Sequence, residues 1–201
     1  MSGDHYFSQE PQSTFKSKQI KVYLAGRELQ LETAGSTFSP DHLDTGTAIL
    51  LEHLSQAPNS GNLLDIGCGW GPIAIALALA NPEATVWAID VNERSLELTR
   101  SNAKRAGLAN VKVCRPEEVP ESLEFTGIWS NPPIRVGKQA LHEILQTWLP
   151  RLAAECEGYL VVAKNLGADT LLGWIQETFA DLSSERVETA KGFRVFRVVR
   201  P

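Results

Sequence analysis

From residue 62 onward, short apolar runs alternate with longer stretches of helical period, the pattern of parallel strands joined by crossover helices. Strands are predicted near 62–66, 85–90, 111–114, 127–130 and 158–163, with helices at 72–80, 93–106, 138–153 and 169–179. The pattern then changes. Residues 185–189 and 193–200 flank the turn Ala190-Lys191-Gly192, which predicts an antiparallel hairpin in place of another crossover. Upstream, residues 20–33 alternate apolar and polar positions about a Gly turn, a second hairpin signal. Asp44 or Thr45 can then cap a helix carrying Ala48, Ile49, Leu50, Leu51 and Leu54, which the Pro58-Asn59-Ser60-Gly61 stretch ends. The expected fold is α/β and Rossmann-like: a mostly parallel seven-stranded sheet closing in an antiparallel hairpin, with an added N-terminal hairpin and helix. Residues 1–35 are expected to form an arm and hairpin packed on the main body at 36–201, in a single domain overall.

Composition narrows this picture without changing it. A chain of 201 residues is long enough for one α/β core and short for two. With 19 Lys and Arg against 24 Asp and Glu, the net charge of −5 disfavours broad adhesion to nucleic acid, which depends on phosphate neutralisation. Local basic faces remain open: Lys16, Lys18 and Lys21; Arg135 and Lys138; Lys191, Arg194, Arg197 and Arg200. Scattered solvated charge is the competing reading of each. The longest apolar stretch, 73–80, is far short of a membrane span, and the first residues show neither a basic start nor an apolar core, so the cytoplasm is expected. Cys68, Cys114 and Cys156 are odd in number and lack metal-ligand spacing; buried thiols are expected, with no disulfide framework and no metal.

The candidate chemistry lies where two strands end. Gly67, Gly69 and Gly71 follow one strand and precede a helix whose Pro72 suits its first position. Glycines there permit positive φ and keep Cβ atoms clear of a ligand. The spacing is G-x-G-x-G rather than the G-x-G-x-x-G of nicotinamide folds, and Asp65 stands two residues ahead. That carboxylate suits the ammonium of a methionine moiety better than a pyrophosphate. Asp90 closes the next strand, placed to accept from two ribose hydroxyls, a feature that a nicotinamide and an S-adenosylmethionine site share. After the third strand Glu117 can accept from an adenine amino group, with Glu118 as its rival.

The second stretch, Asn131-Pro132-Pro133, follows the fourth strand at the carboxyl edge, where open α/β sheets bind ligands. An arylamine lone pair is delocalised and attacks a methyl sulfonium poorly unless the amine is held in line and its pyramidal form favoured. The Asn131 side-chain oxygen and the Pro132 carbonyl can accept the two amine hydrogens, and paired prolines hold that carbonyl fixed. No general base is needed, because the proton can leave once the amine is cationic. A rigid strand-ending turn is the alternative.

These residues carry a family resemblance over nearly the whole chain. The chain resembles the small-domain methyltransferases that include guanine-N2 methyltransferases of small-subunit ribosomal RNA and their single-domain relatives. The resemblance covers His5-Tyr6-Phe7-Ser8 with Pro11, Phe38-Ser39 followed by Leu43-Asp44 and Gly46, the turn at 65–71, Asn131-Pro132-Pro133-Ile134-Arg135 with Gly137-Lys138, and the closing Lys191-Gly192 hairpin. It implies a class I methyltransferase domain at 36–201 using S-adenosylmethionine, held by Asp65, Gly67, Gly69, Gly71, Asp90, Val91, Glu117 and Asn131. It also implies that Phe38, Asp44, Thr45 and Gly46 line the pocket from the N-terminal side, although Phe38 also fits a core position and Asp44 a helix cap. Asn131 and Pro132 become the catalytic pair, with Pro133, Ile134, Arg135 and Lys138 facing the substrate.

The implied acceptor is guanine-N2 of ribosomal RNA, with RNA as partner. Adenine-N6 and protein glutamine amides are the alternatives within the enzyme class, and a silent module that binds cofactor or RNA is the alternative outside it. Ile134 departs from the aromatic residue that many such motifs place after the second proline to stack a flipped base. The additional N-terminal domain of the two-domain ribosomal enzymes has no counterpart in these residues.

Overall fold

The structure is a computed structural model and describes residues 17–35 and 39–201, with the side chain of Arg135 outside the description. A hairpin leads: β1 (Ser17–Leu24) and β2 (Arg27–Ala34) pair antiparallel around Ala25 and Gly26. Both turn residues have positive φ, 46° and 79°, as a two-residue turn matched to strand twist requires. A short helix α1 (Thr45–Leu51) follows. The body then runs β3 (Ser60–Ile66), α2 (Pro72–Ala80), β4 (Glu83–Ile89), α3 (Glu93–Arg105), β5 (Val111–Cys114), β6 (Phe125–Ser130), α4 (Lys138–Trp148), β7 (Leu152–Ala163), α5 (Ala168–Thr178), β8 (Ser183–Ala190) and β9 (Phe193–Arg200).

Seven strands form one sheet in the order β5-β4-β3-β6-β7-β9-β8. The pairs from β5 to β7 are parallel, while β9 runs antiparallel to both β7 and β8. The architecture expected from the alternating pattern is present. Strand order reverses direction between β3 and β6, and that switch point opens a crevice at their carboxyl ends. Among the described residues no helix is long and apolar enough to cross a membrane.

The helix α2, PIAIALALA, is apolar on all sides, which in a globular protein means burial on all sides. One face, with Ile73, Ala74 and Leu77, joins the core against β3 and β4. The other, with Ile75 and Ala76, packs against Val22, Leu24 and Leu31 of the hairpin. The hairpin is the outer layer that keeps α2 dry. It is fastened by Asn102 of α3, which is fully buried. The Asn102 amide accepts from Glu32 N–H at 2.7 Å and donates to the carbonyls of Glu32 and Trp70, each at 2.8 Å. One side chain thereby continues the edge of β2 into the body.

Two boundaries differ most from the sequence expectation, and α1 also ends at Leu51, which leaves Leu54 in a separate 3-10 turn. The helix expected over 138–153 ends at Trp148, and Leu152 and Ala153 already belong to β7. Pro150 lacks an N–H and turns residues 149–151 into a tight 3-10 turn. The strand β7 is consequently longer than the expected 158–163. Its first half is irregular, with Glu155 at φ 59° and a register shift against β6 that hides its alternation. The cap of α1 is resolved in favour of Asp44, whose side chain accepts from Thr47 N–H at 3.0 Å.

Asn102→Ala leaves buried backbone groups of Glu32 and Trp70 unpartnered, and a cost of about 2–3 kcal/mol is expected. In a chain of this size that lowers the melting temperature by roughly 5–10 °C. Differential scanning calorimetry of the variant checks it; an unchanged midpoint would remove Asn102 as the fastening of the hairpin.

Candidate active site

The crevice at the switch point is a cleft with an empty volume of about 970 Å³, counting its open mouth, within the range of small-molecule sites. Its floor is the turn after β3. Gly67, Gly69 and Gly71 hold φ of 75°, 60° and 90°, a succession that only glycine adopts without strain. A Cβ on Gly71 would also stand 2.9 Å from the Thr99 side chain of α3. On Gly69 it would meet nothing, so that residue offers bare backbone to the cleft.

Two carboxylates shape this turn. Asp90 directly follows β4 and lines the cleft; its oxygens accept from Gly69 N–H at 3.0 Å and Asn92 N–H at 2.9 Å. Burial raises its pKa, and those backbone N–H groups oppose the rise. Asp65 is fully buried in β3. One oxygen accepts from Ala74 N–H in the first turn of α2 at 3.0 Å, while the other has no partner. Burial, with the neighbouring charge of Asp90 adding to it, pushes the Asp65 carboxyl up to about 8. An unpaired buried carboxylate oxygen is costly, and a cationic group is what would offset it. Asp65 itself does not line the cleft, so the groups that face a ligand at this wall are the Asp90 carboxyl, suited to hydroxyls, and the bare backbone of the glycine turn.

The opposite wall is the loop after β6. Ser130 is buried and its hydroxyl donates to the Ile66 carbonyl at 2.7 Å, tying together the ends of β3 and β6. Asn131, Pro132 and Pro133 line the cleft. The Asn131 Nδ2 donates to Asp44 Oδ2 at 2.9 Å and to Thr47 Oγ1 at 3.1 Å. An ionised carboxylate only accepts, so this pair fixes which way round the amide sits and leaves Asn131 Oδ1 as the acceptor. Pro133, at φ −74° and ψ 70°, makes an inverse γ-turn in which Ile134 N–H donates to the Pro132 carbonyl at 2.8 Å. That carbonyl keeps a second lone pair.

The other expected site residues fall into place unevenly. Val91 is exposed at the cleft wall. After β5 the wall residue is Pro116; Glu117 and Glu118 are both exposed, and Glu118 accepts from Arg115 N–H at 2.6 Å. At the start of α1, the cap Asp44 reaches the site through Asn131, Thr45 is exposed, and Gly46 lies under the ring of Phe193. Phe38, like the His5-to-Pro11 stretch and Lys16, is outside the described residues. Ile134 packs toward the core between α4, α5 and β9, away from the cleft walls. Lys138 opens α4 and is exposed.

Several wall residues had no signal of their own. Thr47 lines the cleft and holds Asn131, yet in sequence it is one more small residue of an apolar helix; its three-residue spacing from the Asp44 cap was the available clue. Ile144 and Trp148 reach the cleft from α4, where they read as ordinary core positions. Cys68 is buried as expected, but Cys114 and Cys156 are only half-buried because they sit at the margin of their core cluster. Burial raises all three thiols, Cys114 to about 11, so none is a ready nucleophile. No metal-binding cluster is found among the described residues. The terminal basic cluster is largely neutralised: Arg194 pairs with Asp169, Arg197 with Glu157 and Glu185, and Arg200 with Asp181.

A glycine turn and a proline-stiffened amide facing each other across the switch point of such a sheet form the arrangement of class I methyltransferases. Comparison with known proteins bears out the class. Residues 28–197 match the family model described as methyltransferase small domain. The YbxB protein of Bacillus subtilis is 31% identical over 197 residues, covering 96% of this chain and 97% of that protein. Ribosomal RNA small subunit methyltransferase C of Acinetobacter baumannii is 35% identical over 125 residues, 60% of this chain. The match spans only 36% of that relative's length. Among solved structures, a T. thermophilus 16S rRNA N2 methyltransferase, RsmC, in complex with AdoMet and guanosine, superposes with a TM-score of 0.80 at 19% identity, over 96% of this chain and 52% of that one. The chain belongs to the methyltransferase small domain family, and S-adenosylmethionine is its methyl donor.

The raised carboxyl of Asp65 has a consequence for the donor-free protein. Its folded pKa of about 8 lies above the ordinary 3.8, so the folded state holds a proton that the unfolded state has released. Stability from this group is full below pH 4, declines as pH rises, and is lost above about 8. Asp65→Asn removes the titration. The stability of the variant minus that of wild type should grow from pH 4 to pH 8 and then level off, as measured by urea unfolding without donor. A difference independent of pH would show that Asp65 does not carry the proton.

Proposed function

We propose that this protein is an N-methyltransferase acting on an exocyclic amine, and that the amine is guanine-N2 of ribosomal RNA. The observation that carries the first part is the fixed Asn131 amide. Its Nδ2 is occupied by Asp44 and Thr47, so its Oδ1 is presented to an incoming amine hydrogen. The Pro132 carbonyl, locked by the inverse γ-turn at Pro133, offers a second acceptor. Two acceptors on an NH2 group favour the pyramidal nitrogen and aim its lone pair. Because both are already in place, they need no reorganisation as charge develops on nitrogen.

The donor supplies an electrophilic methyl on a sulfonium sulfur. The chain supplies position: Asp90 and the glycine turn hold one partner, and Asn131 and Pro132 hold the other. The floor and acceptor wall are in contact distance, since a Cβ on Gly67 would stand 3.5 Å from Pro133 Cδ. The proton departs from a cationic product nitrogen, so no general base has to be poised in the cleft. In this reading Val91 and Pro116, with Glu117 exposed next to Pro116, border the adenosine part of the donor, and Thr47 replaces Thr45 and Gly46 as the residue of α1 facing it.

The choice of RNA guanine is supported by the named activities of the ribosomal RNA relatives, which extend well beyond the length of this chain. Ile134 supports an acceptor other than one stacked on the residue after the second proline, because its side chain is committed to the core. The enzyme then works where ribosomal RNA is made, in the cytoplasm. The deciding experiment is incubation of the purified protein with labelled S-adenosylmethionine and cell extract, sorting the label between RNA, DNA and protein, then digesting the RNA to nucleosides. Label in N2-methylguanosine is expected; label in a protein glutamine or in DNA would overturn the reading.

Asn131→Ala is expected to lower kcat by about a hundredfold or more, in line with loss of an acceptor that acts in the transition state. Binding of the donor, followed by calorimetry, should survive. Asp44→Ala releases the amide to rotate and should lower kcat about tenfold through misplacement of the same oxygen. Full turnover in Asn131→Ala would remove the mechanism.

A further inference from the structure

The RNA reading raises the question of where an acidic protein holds its polyanion. Most described cations are neutralised by carboxylates: Arg105 by Glu32, Arg186 and Arg194 by Asp169, Arg197 by Glu157, and Lys18 by Asp41. Lys164 and Lys191 are exposed and have no such partner among the described residues. They come from distant parts of the sequence. Lys164 directly follows β7, and Lys191 forms the turn between β8 and β9.

The sheet brings them together. Because β9 runs antiparallel to β7, with Phe193 opposite Ala163, the β8–β9 turn arrives at the carboxyl end of β7. There Lys164 N–H donates to the Gly192 carbonyl at 2.8 Å. The same turn leans on the acceptor wall: a Cβ on Gly46 would stand 2.6 Å from the Phe193 ring and 3.0 Å from Asp44 Oδ2. Asp44 in turn holds Asn131. Two uncompensated ammonium groups thus belong to the rim of the acceptor half of the cleft. Leu166, two residues past Lys164, is one of the few large apolar side chains left exposed, at 43%.

We propose that Lys164, Lys191 and Leu166 form the docking surface for the single-stranded RNA segment that flanks the target base. This inference rests on the reading of RNA as acceptor. A guanine amine inside a base pair is out of reach, so the substrate must offer an unpaired nucleotide whose neighbours lie on the rim. Lysine contacts to phosphate give affinity and register, while an exposed apolar side chain suits an unstacked base. On a chain with a net charge of −5, the location of unpaired cations decides where a polyanion settles.

The test is fluorescence anisotropy with a labelled single-stranded RNA 20-mer of mixed sequence, across about 50–200 mM salt, with donor affinity measured in parallel. The double variant Lys164→Glu with Lys191→Glu is compared with a charge-matched control, Arg27→Glu with Lys104→Glu, whose cations are equally unpaired but lie on the hairpin turn and α3. The rim variant should weaken RNA binding at least about tenfold and flatten the log–log salt slope by about 1.4, the value for two single-strand phosphate contacts. The control should stay within about threefold of wild type, and donor affinity should be unchanged in both. Equal weakening in both variants, or no weakening in the rim variant, overturns the surface. If wild type methylates RNA while the rim variant binds it normally, only the surface falls; if wild type methylates no RNA, the acceptor reading falls and the surface with it.

Discussion

The ends of β3 and β6 are held side by side, and the geometry of the cleft follows from that one pairing. Asp65 lies opposite Trp129 in the register, so the two chains leave the sheet together, one into the glycine turn and the other into the proline loop. The buried Ser130 hydroxyl, donating to the Ile66 carbonyl, closes the pair at the last residue before both turns. A free hydroxyl and a free carbonyl at that depth would each be costly, so the bond is strongly favoured over separation of the strands. Donor and acceptor walls are therefore rigid relative to each other without any side chain bridging the cleft itself.

Within that frame the two walls are stabilised differently. The acceptor wall is satisfied internally. Asn131 has its donors paired, the Pro132 carbonyl has one hydrogen bond, and the prolines leave few conformations to lose. The backing of the donor wall is less complete. Asp65 keeps an unpaired oxygen in a dry place near Asp90, and both carboxyls are driven toward protonation. Asp65 is not on the cleft surface, so this conflict lies behind the donor wall rather than on it. A polar acceptor that must aim at a nascent charge is best built in advance.

Much of this was legible in the chain. Local period located the parallel strands, the closing hairpin and the helices between them, because each buries one recognisable face. The glycine turn and Asn131-Pro132 were legible for a different reason: few residue types permit positive φ in succession or a stiff carbonyl at a strand end. What was hidden depends on tertiary contact. The first half of β7 lacks alternation because it is bulged, and Pro150 shortens α4 within an otherwise helical pattern. Thr47 acquires its role only when α1 meets the loop after β6, across 84 residues of sequence. The basic residues of β9 read as a patch in one dimension, but strand pairing places carboxylates against them.

The two hairpins show how a shared core comes to serve one reaction. The N-terminal hairpin covers α2, the helix whose first turn is held by Asp65, and Asn102 fastens that cover to α3 near the glycine turn. The C-terminal hairpin works on the other wall: Phe193 presses on Gly46, a position where any side chain would collide with the ring. That contact sets the height of the α1 turn, and the turn sets Asp44 against Asn131. Each hairpin thus supports one wall of the cleft from behind, one through a helix and one through a cap. A change in either would be felt first as a displacement of a polar group facing the cleft, since packed interiors transmit small shifts rather than absorb them.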